Sequence, residues 1–406
     1  MIHRPTPDDA VIITYRRTPF GRARKGSLAT ERPEDLALAA VRATLASVPQ
    51  LSPADLDDFY LGTAVPEKAQ GDNIARRVAV LAGLDQLPAA TVNRFCASSL
   101  QAAAMAAHAI KAGDADVVLV GGVESTSSTP PLTVSPYPGS EAAQMQADHL
   151  FNEAEPWTDP REHGLVPDVY IATGKTAEFV AQLTGTSRRD QDEWALASHQ
   201  RAVRAREDGF YDREITPVKR RDGVIVSVDD GPRPSTSLEI LSGLPAAFRE
   251  HGSVTAGNSS PLNDGASAAI ITSARYAKAH GITPLARILG TSASALSPEI
   301  MGLGPVEATR KLLSRLKMTL RDFDLIELNE AFAAQVVPVV RQLEADPERV
   351  NVHGGAIALG HPFGASGVRL LGTLAHGLQE HDGDLGLATL CVGGGQGMAL
   401  AIERLR

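Results

Sequence analysis

Cysteine is nearly absent from this chain: Cys96 and Cys391 are the only two in 406 residues. So sparse a set, far apart in sequence, argues against a disulfide scaffold and fits a reducing compartment, read here as the cytoplasm. Long apolar runs are missing too. No stretch reaches the roughly 20 residues of a membrane span, so no membrane span is expected. The first residues, Met1 to Asp9, lack the apolar centre of a secretory leader. Excess positive charge is also absent. A net charge of −9 argues against a general nucleic-acid surface, although a local basic patch can still hold an anionic ligand. There is no Cys-x-x-Cys and no His-Glu-x-x-His, so no metal site is expected, nor a zinc shared by Cys96, His361 and Cys391. Aromatic residues are scarce at 4%, which leaves small side chains to build the core and lets helices and strands approach closely.

What remains is a globular composition, 43% hydrophobic and 21% charged, in a chain long enough for two or three domains. Strand-like runs at Ala10–Tyr15, Asp58–Gly62, Ala90–Asn93 and Val117–Val120 alternate with helical spacing at Glu34–Ser47, Asn73–Ala82 and Ala97–Ala112. Such alternation predicts an α/β fold with parallel crossovers. The pattern breaks near Thr126. Ser125–Pro138 is rich in Ser, Thr and Pro, and the polar stretch that follows is too long for an ordinary connection, so it reads as functional structure over a site. Helices are expected at Thr173–Leu183 and Asp190–Asp208, then a hairpin around Arg220-Arg221-Asp222-Gly223. Residues 126–252 therefore read as an insertion. A second α/β series resumes at Ala266–Thr272 and runs through Pro284–Ser292, Pro305–Leu316, Leu325–Leu328, Ala331–Glu344 and Gly367–His381 to a closing hairpin, Leu385–Cys391 with Met398–Ile402. The halves echo each other. Each has a reactive-type residue at a small-residue turn, a helix, and an apolar strand ending in Gly-Gly, which suggests an internal duplication.

Three turns carry residues suited to chemistry. Cys96 precedes a helix that opens with the small residues Ala97, Ser98 and Ser99; the positive end of a helix favours a thiolate, while the plain alternative is a buried core cysteine. His361 is held extended by Pro362 and lies among Gly360, Gly364 and Gly367, so a ligand or another backbone can come close; the alternative is a turn histidine. An imidazole there can take a proton from a thiol or donate to an oxyanion. Cys391 ends a strand before Gly393-Gly394-Gly395, whose N–H groups can form an anion nest; an ordinary strand-end cysteine is the alternative. A dinucleotide loop at Gly393–Gly397 is a weaker reading, because Met398 takes its last glycine position. Asn329 follows a strand and either faces the ligand crevice or caps a helix.

Together these stretches resemble the thiolase family, the acetyl-CoA C-acyltransferases. The likeness runs from Arg16-Arg17-Thr18-Pro19-Phe20-Gly21 through Asn329-Glu330-Ala331-Phe332-Ala333 and Gly354-Gly355-Ala356-Ile357-Ala358-Leu359-Gly360-His361-Pro362 to Cys391–Gly397. It implies two duplicated βαβαβαββ domains forming a five-layer α/β sandwich with an inserted loop domain: 1–125, completed by 253–283, as the N-terminal domain, 126–252 as the insertion, and 284–406 as the C-terminal domain. It implies that Cys96 carries the acyl group, that His361 activates it, and that Cys391 moves the proton at the acetyl α-carbon. Asn329, through a water, and His361 would form one oxyanion hole; the N–H groups of Cys96 and Gly393 would form another. For coenzyme A, Ser260, in the run from Ala256, matches a position on the pantetheine arm and Arg233 one beside the adenine nucleotide; Leu244, Phe248 and Met301 match apolar wall positions, and Phe332 would lie beside the site. The reaction implied is reversible thiolytic cleavage of a 3-oxoacyl-CoA by CoA. Coenzyme A would be a co-substrate, with no bound cofactor, and the assembly a homodimer or homotetramer.

Departures from the family pattern bear on the acyl pocket. Thr173 stands where the pattern has Met, Ala172 where some short-chain members have His, His353 where Asn is usual before Gly354-Gly355, and Ser259-Ser260-Pro261 replaces a more glycine-rich run. Three activities compete: a thiolase, degradative or making acetoacetyl-CoA; a decarboxylating condensing enzyme, which would expect two histidines near its cysteine; and a silent acyl-CoA-binding protein.

Overall fold

A computed structural model describes residues 5–129 and 137–406, so much of the Ser/Thr/Pro-rich stretch lies outside the described residues. The first series runs β1 (Ala10–Arg17), β2 (Gly21–Arg22), α1 (Pro33–Ala46), β3 (Asp58–Gly62), α2 (Ile74–Leu81), β4 (Ala89–Val92), α3 (Ser98–Ala112) and β5 (Val117–Ser125). Next come α4 (Glu141–Asn152), α5 (Thr173–Thr184), α6 (Arg188–Glu207), the short pair β6 (Val218–Lys219) and β7 (Ile225–Val226), and α7 (Leu238–Ser242). β8 (Asn263–Ser273) and α8 (Ala274–Ala279) lead to the second series: β9 (Ala286–Ala295), α9 (Gly304–Leu316), β10 (Leu325–Leu328), α10 (Ala333–Gln342), α11 (Ala356–Leu359), α12 (Phe363–Glu380), β11 (Leu385–Val392) and β12 (Gln396–Arg404).

The duplication is explicit in strand order. One half of the sheet runs β1-β8-β5-β3-β4 and the other β9-β12-β11-β10. In each, the first strand lies antiparallel to the last, and the inner pairs β3–β5 and β10–β11 are parallel. The position of β4 is kept in the second half by one parallel bridge, Ile326 to Val350. The half-sheets are not separate. β1 and β9 pair at Val11–Arg287 and Ile12–Ala286, which joins them into one ten-stranded sheet.

Alternation along the strands sorts the core into layers. Val117 and Leu119 of β5 face α1 and α2, while Val118 and Val120 face a central cluster containing α3 and α12. β1, β9, β11 and β12 supply that same central cluster, and α9 and α10 cover the far face of the second half. The order is thus helices, half-sheet, α3 with α12, half-sheet, helices. Strands buried on both faces tend to read as apolar runs, as Val117–Val123 of β5 does; β8 is buried along its whole length although it carries Asn263, Asp264, Ser267 and Thr272.

Close approach explains the small residues. The expectation that β5 ends at Gly121-Gly122 is corrected: both lie inside the strand, because α12 presses on it. A Cβ on Gly122 would stand 1.9 Å from the Gly364 carbonyl oxygen. A Cβ on Gly367 would stand 2.2 Å from the Leu100 nitrogen, so the first turns of α3 and α12 meet backbone to backbone. α12 also begins earlier than expected, at Phe363 with Pro362 as its N-cap. The described residues between Ser125 and Asn263 lie outside this sheet, while β5 and β8 on either side of them pair with each other along their length.

Candidate active site

Cys96 lies in a single 3-10 turn, Phe95–Ala97, that feeds α3. Phe95 before it has φ +44, a conformation bulky residues adopt only when held there. Asn93 Oδ1 holds it, accepting the Phe95 N–H at 2.8 Å, while Ser98 Oγ accepts from Arg94 N–H at 2.9 Å. Arg94 reaches across and donates to Gln396 Oε1 at 3.0 Å, tying this turn to the glycine turn after β11. Gly393 lies against this turn, where a Cβ on it would stand 3.3 Å from the Phe95 ring, and its N–H favours a charged Cys96 sulfur.

The helix-end thiolate expected from sequence is corrected. Burial pushes the Cys96 thiol up to about 12; the Gly393 N–H pulls the other way, and the nearby Glu124 carboxylate adds to the rise. Loss of solvation outweighs the partial charge of a helix end. Cys391, fully buried, is also raised, by burial first and then by the charge of Cys96 when that ionises. The two cysteines are thus close enough for a charge on one to act on the other.

The glycine turn is a tight hairpin. Gly394 and Gly395 have φ +73 and +75, and a Cβ on Gly395 would stand 2.2 Å from the Leu296 carbonyl oxygen. β11 and β12 pair antiparallel through Val392–Gln396, so the dinucleotide-loop alternative falls: it needs a helix after the glycines, and a strand is there.

His361 lies outside any helix, directly before the α12 N-cap Pro362. Its N–H donates to Asn263 Oδ1 at 2.8 Å, and Gly360 (φ +112) has no room for a Cβ, which would stand 2.6 Å from the Asn263 amide. Ser366 Oγ donates to the Pro362 carbonyl at 2.9 Å and lies 2.6 Å from His361 Nδ1. A hydroxyl has one hydrogen, so this network assigns the ring proton to Nδ1 and leaves Nε2 as acceptor. Nε2 faces Asn329 Nδ2 at 3.1 Å. Burial first, then the Arg369 charge, pushes His361 down to about 3, so the ring is neutral around pH 7.

Asn329 does not cap a helix. α10 starts at Ala333 with Phe332 at its N-cap, because the Ala333 N–H is taken by the Asn258 carbonyl at 2.8 Å. The Asn329 N–H bonds the Thr389 carbonyl at 3.0 Å, two residues before Cys391. Its Oδ1 is buried with no hydrogen-bond partner, which marks a place for a water or a ligand donor. Two clusters, Cys96–Gly393–Cys391 and His361–Asn329, thus hang from adjoining elements. The Val368 N–H donating to Ser99 Oγ at 3.0 Å locks the helix starts together.

Two buried carboxylates that support these turns were not singled out from sequence. Glu124 accepts from Ala64 N–H, Gly364 N–H and Gln70 Nε2 at 2.7–2.8 Å, joining the halves beside His361. Its one signal is a charge inside an apolar strand. Glu330 accepts from Trp194 Nε1, Ser198 Oγ, Asn351 Nδ2 and Ile357 N–H. It ties the Asn329 turn to the segment leading to His361, and its signal was adjacency to Asn329.

Of the residues matched to coenzyme A, Arg233, Leu244 and Ala256 line one cavity of about 190 Å³, together with Arg22, His199 and Ser259. Arg22 was not anticipated. The two guanidiniums form a local basic patch on an acidic protein. His199 is pushed down to about 4 by burial and then by Arg22, and its Nδ1 accepts the Arg233 N–H at 3.3 Å. Ser260 is not among the residues lining this cavity; its N–H is spent on the Ala331 carbonyl at 2.9 Å. Met301 and Phe332 pack in one cluster with Cys391. Phe248, partly exposed, lies edge-on to Phe332 at 6.0 Å and over Gly174, where a Cβ would stand 2.3 Å from its ring. In the hairpin turn Arg220 pairs with Asp222, and Arg221 reaches Asp35 on α1 at 3.6 Å. His353, expected near the acyl pocket, stacks instead on Phe210 at 3.6 Å and lies beside α12's last turn.

Comparison with known proteins agrees along the whole chain. The model of the thiolase N-terminal domain matches residues 10–275, and that of the C-terminal domain residues 282–404. The chain is 41% identical to a 3-ketoacyl-CoA thiolase of Bacillus subtilis (strain 168), over 97% of this chain and 99% of that protein. It is 43% identical to a 3-oxoadipyl-CoA/3-oxo-5,6-dehydrosuberyl-CoA thiolase of Escherichia coli (strain K12), over 98% of this chain and 100% of that protein. The crystal structure of the Bacillus anthracis acetyl-CoA acetyltransferase superposes with a TM-score of 0.86 at 38% identity, covering 98% of this chain and 99% of that one. The chain belongs to the thiolase family of acyltransferases.

Proposed function

We propose that this protein catalyses reversible thiolytic cleavage of a 3-oxoacyl-CoA by CoA through an acyl group carried on Cys96. The observation that carries the reading is that the starts of α3 and α12, which follow Cys96 and His361, meet backbone to backbone, while a neutral imidazole faces an amide whose oxygen is unpartnered. The proton of the Cys96 thiol passes to His361 Nε2 as sulfur attacks the 3-keto carbon. The bond between C2 and C3 breaks, and its electron pair becomes the enolate of acetyl-CoA. Cys391 gives its proton to C2 of that enolate. The thiol of free CoA then gives its proton to the Cys391 thiolate and attacks the acyl carbonyl carbon; the carbon–sulfur bond to Cys96 breaks, and His361 returns its proton to that sulfur as the shortened acyl-CoA leaves. The Gly393 N–H donates to the oxyanion at the acyl carbon; a water on Asn329, with the imidazole, serves the thioester oxygen.

Arg22 and Arg233 are suited to CoA phosphates, and Leu244 and Ala256 to its apolar arm. Coenzyme A is a co-substrate in this scheme, and no bound cofactor takes part. No helix among the described residues is long and apolar enough to cross a membrane. Both cysteines are free, which supports a reducing, cytoplasmic setting, with a homodimer or homotetramer as the assembly.

Relatives named as a 3-ketoacyl-CoA thiolase and as a 3-oxoadipyl-CoA/3-oxo-5,6-dehydrosuberyl-CoA thiolase are alike in identity, so substrate choice rests on an assay. A panel of 3-oxoacyl-CoAs, from acetoacetyl-CoA to long and ω-carboxylated chains, is ranked by kcat/KM with release of acetyl-CoA as the readout. Turnover of at least one member is expected; none across the panel would sink the reading. A pH profile tests the base. A lowered pKa extends the proton-accepting form of His361 to acid, so it is complete above about pH 4. The expected kcat/KM shows no acidic limb between about pH 5 and 7, and a limb near the ordinary histidine value would show the ring titrating in the site.

A further inference from the structure

We propose that His353, Glu380 and His381 form a binding site for a divalent transition-metal ion of the zinc class, which fastens the two ends of the segment carrying His361. The site lies at the far end of α12 from His361, roughly 27 Å away along an 18-residue helix. It stands whether or not the catalytic roles above hold.

Each of the three side chains offers a ligand atom, and these atoms lie within 4.8 Å of one another. His353 is the key member. It is only 5% exposed, yet its Nε2 has no hydrogen-bond partner; Glu380 Oε1 stands 3.6 Å away, outside hydrogen-bond reach. A buried nitrogen left without a partner is costly, and it calls for an explanation. The ring is held in place. It stacks on Phe210 at 3.6 Å with planes 9° apart, and Tyr211 Oη donates to the His353 carbonyl. Gly377 opposite has room to spare only because it lacks a Cβ, which would stand 3.2 Å from His353 Cε1.

The other two ligands close the triangle. Arg213 engages Glu380 Oε2 at 3.3 Å, which leaves Oε1 turned toward His353. The His381 ring lies 5.4 Å from that of His353, tilted by 51°. His381 is the C-cap of α12, where unpaired carbonyls make the helix end negative and favour a cation. Two imidazole nitrogens and one carboxylate oxygen are a donor set for Zn²⁺, Co²⁺ or Ni²⁺, with solvent completing the shell; Ca²⁺ and Mg²⁺ prefer all-oxygen sets. Glu380 and His381 are exposed, so the ion has a path in. Because His353 precedes α11 and His361 while Glu380 ends α12, the bound ion clips that segment into a loop and stabilises the folded chain.

The test uses the untagged, chelator-treated full chain and Co²⁺ as the probe. Visible absorption is followed in titration, and unfolding temperature is measured with and without metal. One equivalent of Co²⁺ is expected to bind, to be displaced by Zn²⁺, and to raise the unfolding temperature. Glu380→Gln and His381→Ala, both exposed changes, are each expected to weaken binding by about tenfold or more. His353→Asn should remove the rise in unfolding temperature. Three results overturn the proposal: no bound cobalt, binding equally tight in His381→Ala, or an intense thiolate-to-cobalt charge-transfer band placing the ion at Cys96 and Cys391.

Discussion

Cys96→Ala is expected to lower thiolysis of acetoacetyl-CoA, or of the best substrate in the panel, by on the order of 10⁴-fold or more. The reason is that the acyl group then has no atom on which to wait between the two half-reactions. Intact-mass measurement after incubation with acyl-CoA should show an acyl adduct on the unmodified protein and none on the variant. The substitution removes one sulfur from a partly exposed turn, so folding should survive, and a thermal melt checks this. An adduct that persists in Cys96→Ala would move the acyl-carrying role to another residue.

Cys391→Ala separates the two halves of the mechanism. Acylation of Cys96 by an acyl-CoA needs no proton at carbon, so the adduct should still form. Cleavage of the C2–C3 bond, and its reverse, need a proton delivered to or taken from C2. Both are expected to fall by about 10³-fold, within the range for loss of a positioned acid or base. Cys391 is fully buried among Met301, Ala331 and Phe332, so alanine leaves a small void and little strain. Unchanged carbon–carbon turnover with intact acylation would refute the assignment. A parallel loss of both would show that the second sulfur supports the first structurally.

Much of the fold was legible because strands buried on both faces and small-residue helices follow simple periods. β5 read as an apolar run, Ala266–Thr272 of β8 as a strand, and α3 as an alanine-rich helix. The duplication was legible as a repeated order of turn, helix and strand. That the halves share one sheet was not legible, because the join is only two residue pairs, Val11–Arg287 and Ile12–Ala286, with no distinctive side chains. Gly122 read as a strand terminator, since glycine ends strands as readily as it admits a neighbouring backbone. Which applies depends on α12, more than two hundred residues later in the chain.

The site divides in the same way. Cys96, His361, Asn329 and Cys391 stood out because their neighbours, glycine, proline and small residues, constrain the backbone through local sterics that any reader of the chain can apply. Their protonation did not. A helix end argued for a thiolate at Cys96, whereas burial, which is summed over every residue packed around the sulfur, holds the thiol neutral. Glu124 and Glu330 gained meaning only from partners contributed by other elements. His353 looked like a pocket residue from its place before Gly354-Gly355, and packing set it against Phe210 and the end of α12. The amino-acid order alone therefore determined which residues can react and which turns present them, because those depend on near neighbours. Charge state, support and the grouping at His353 were decided only by tertiary structure, because solvation and electrostatics depend on distance in space.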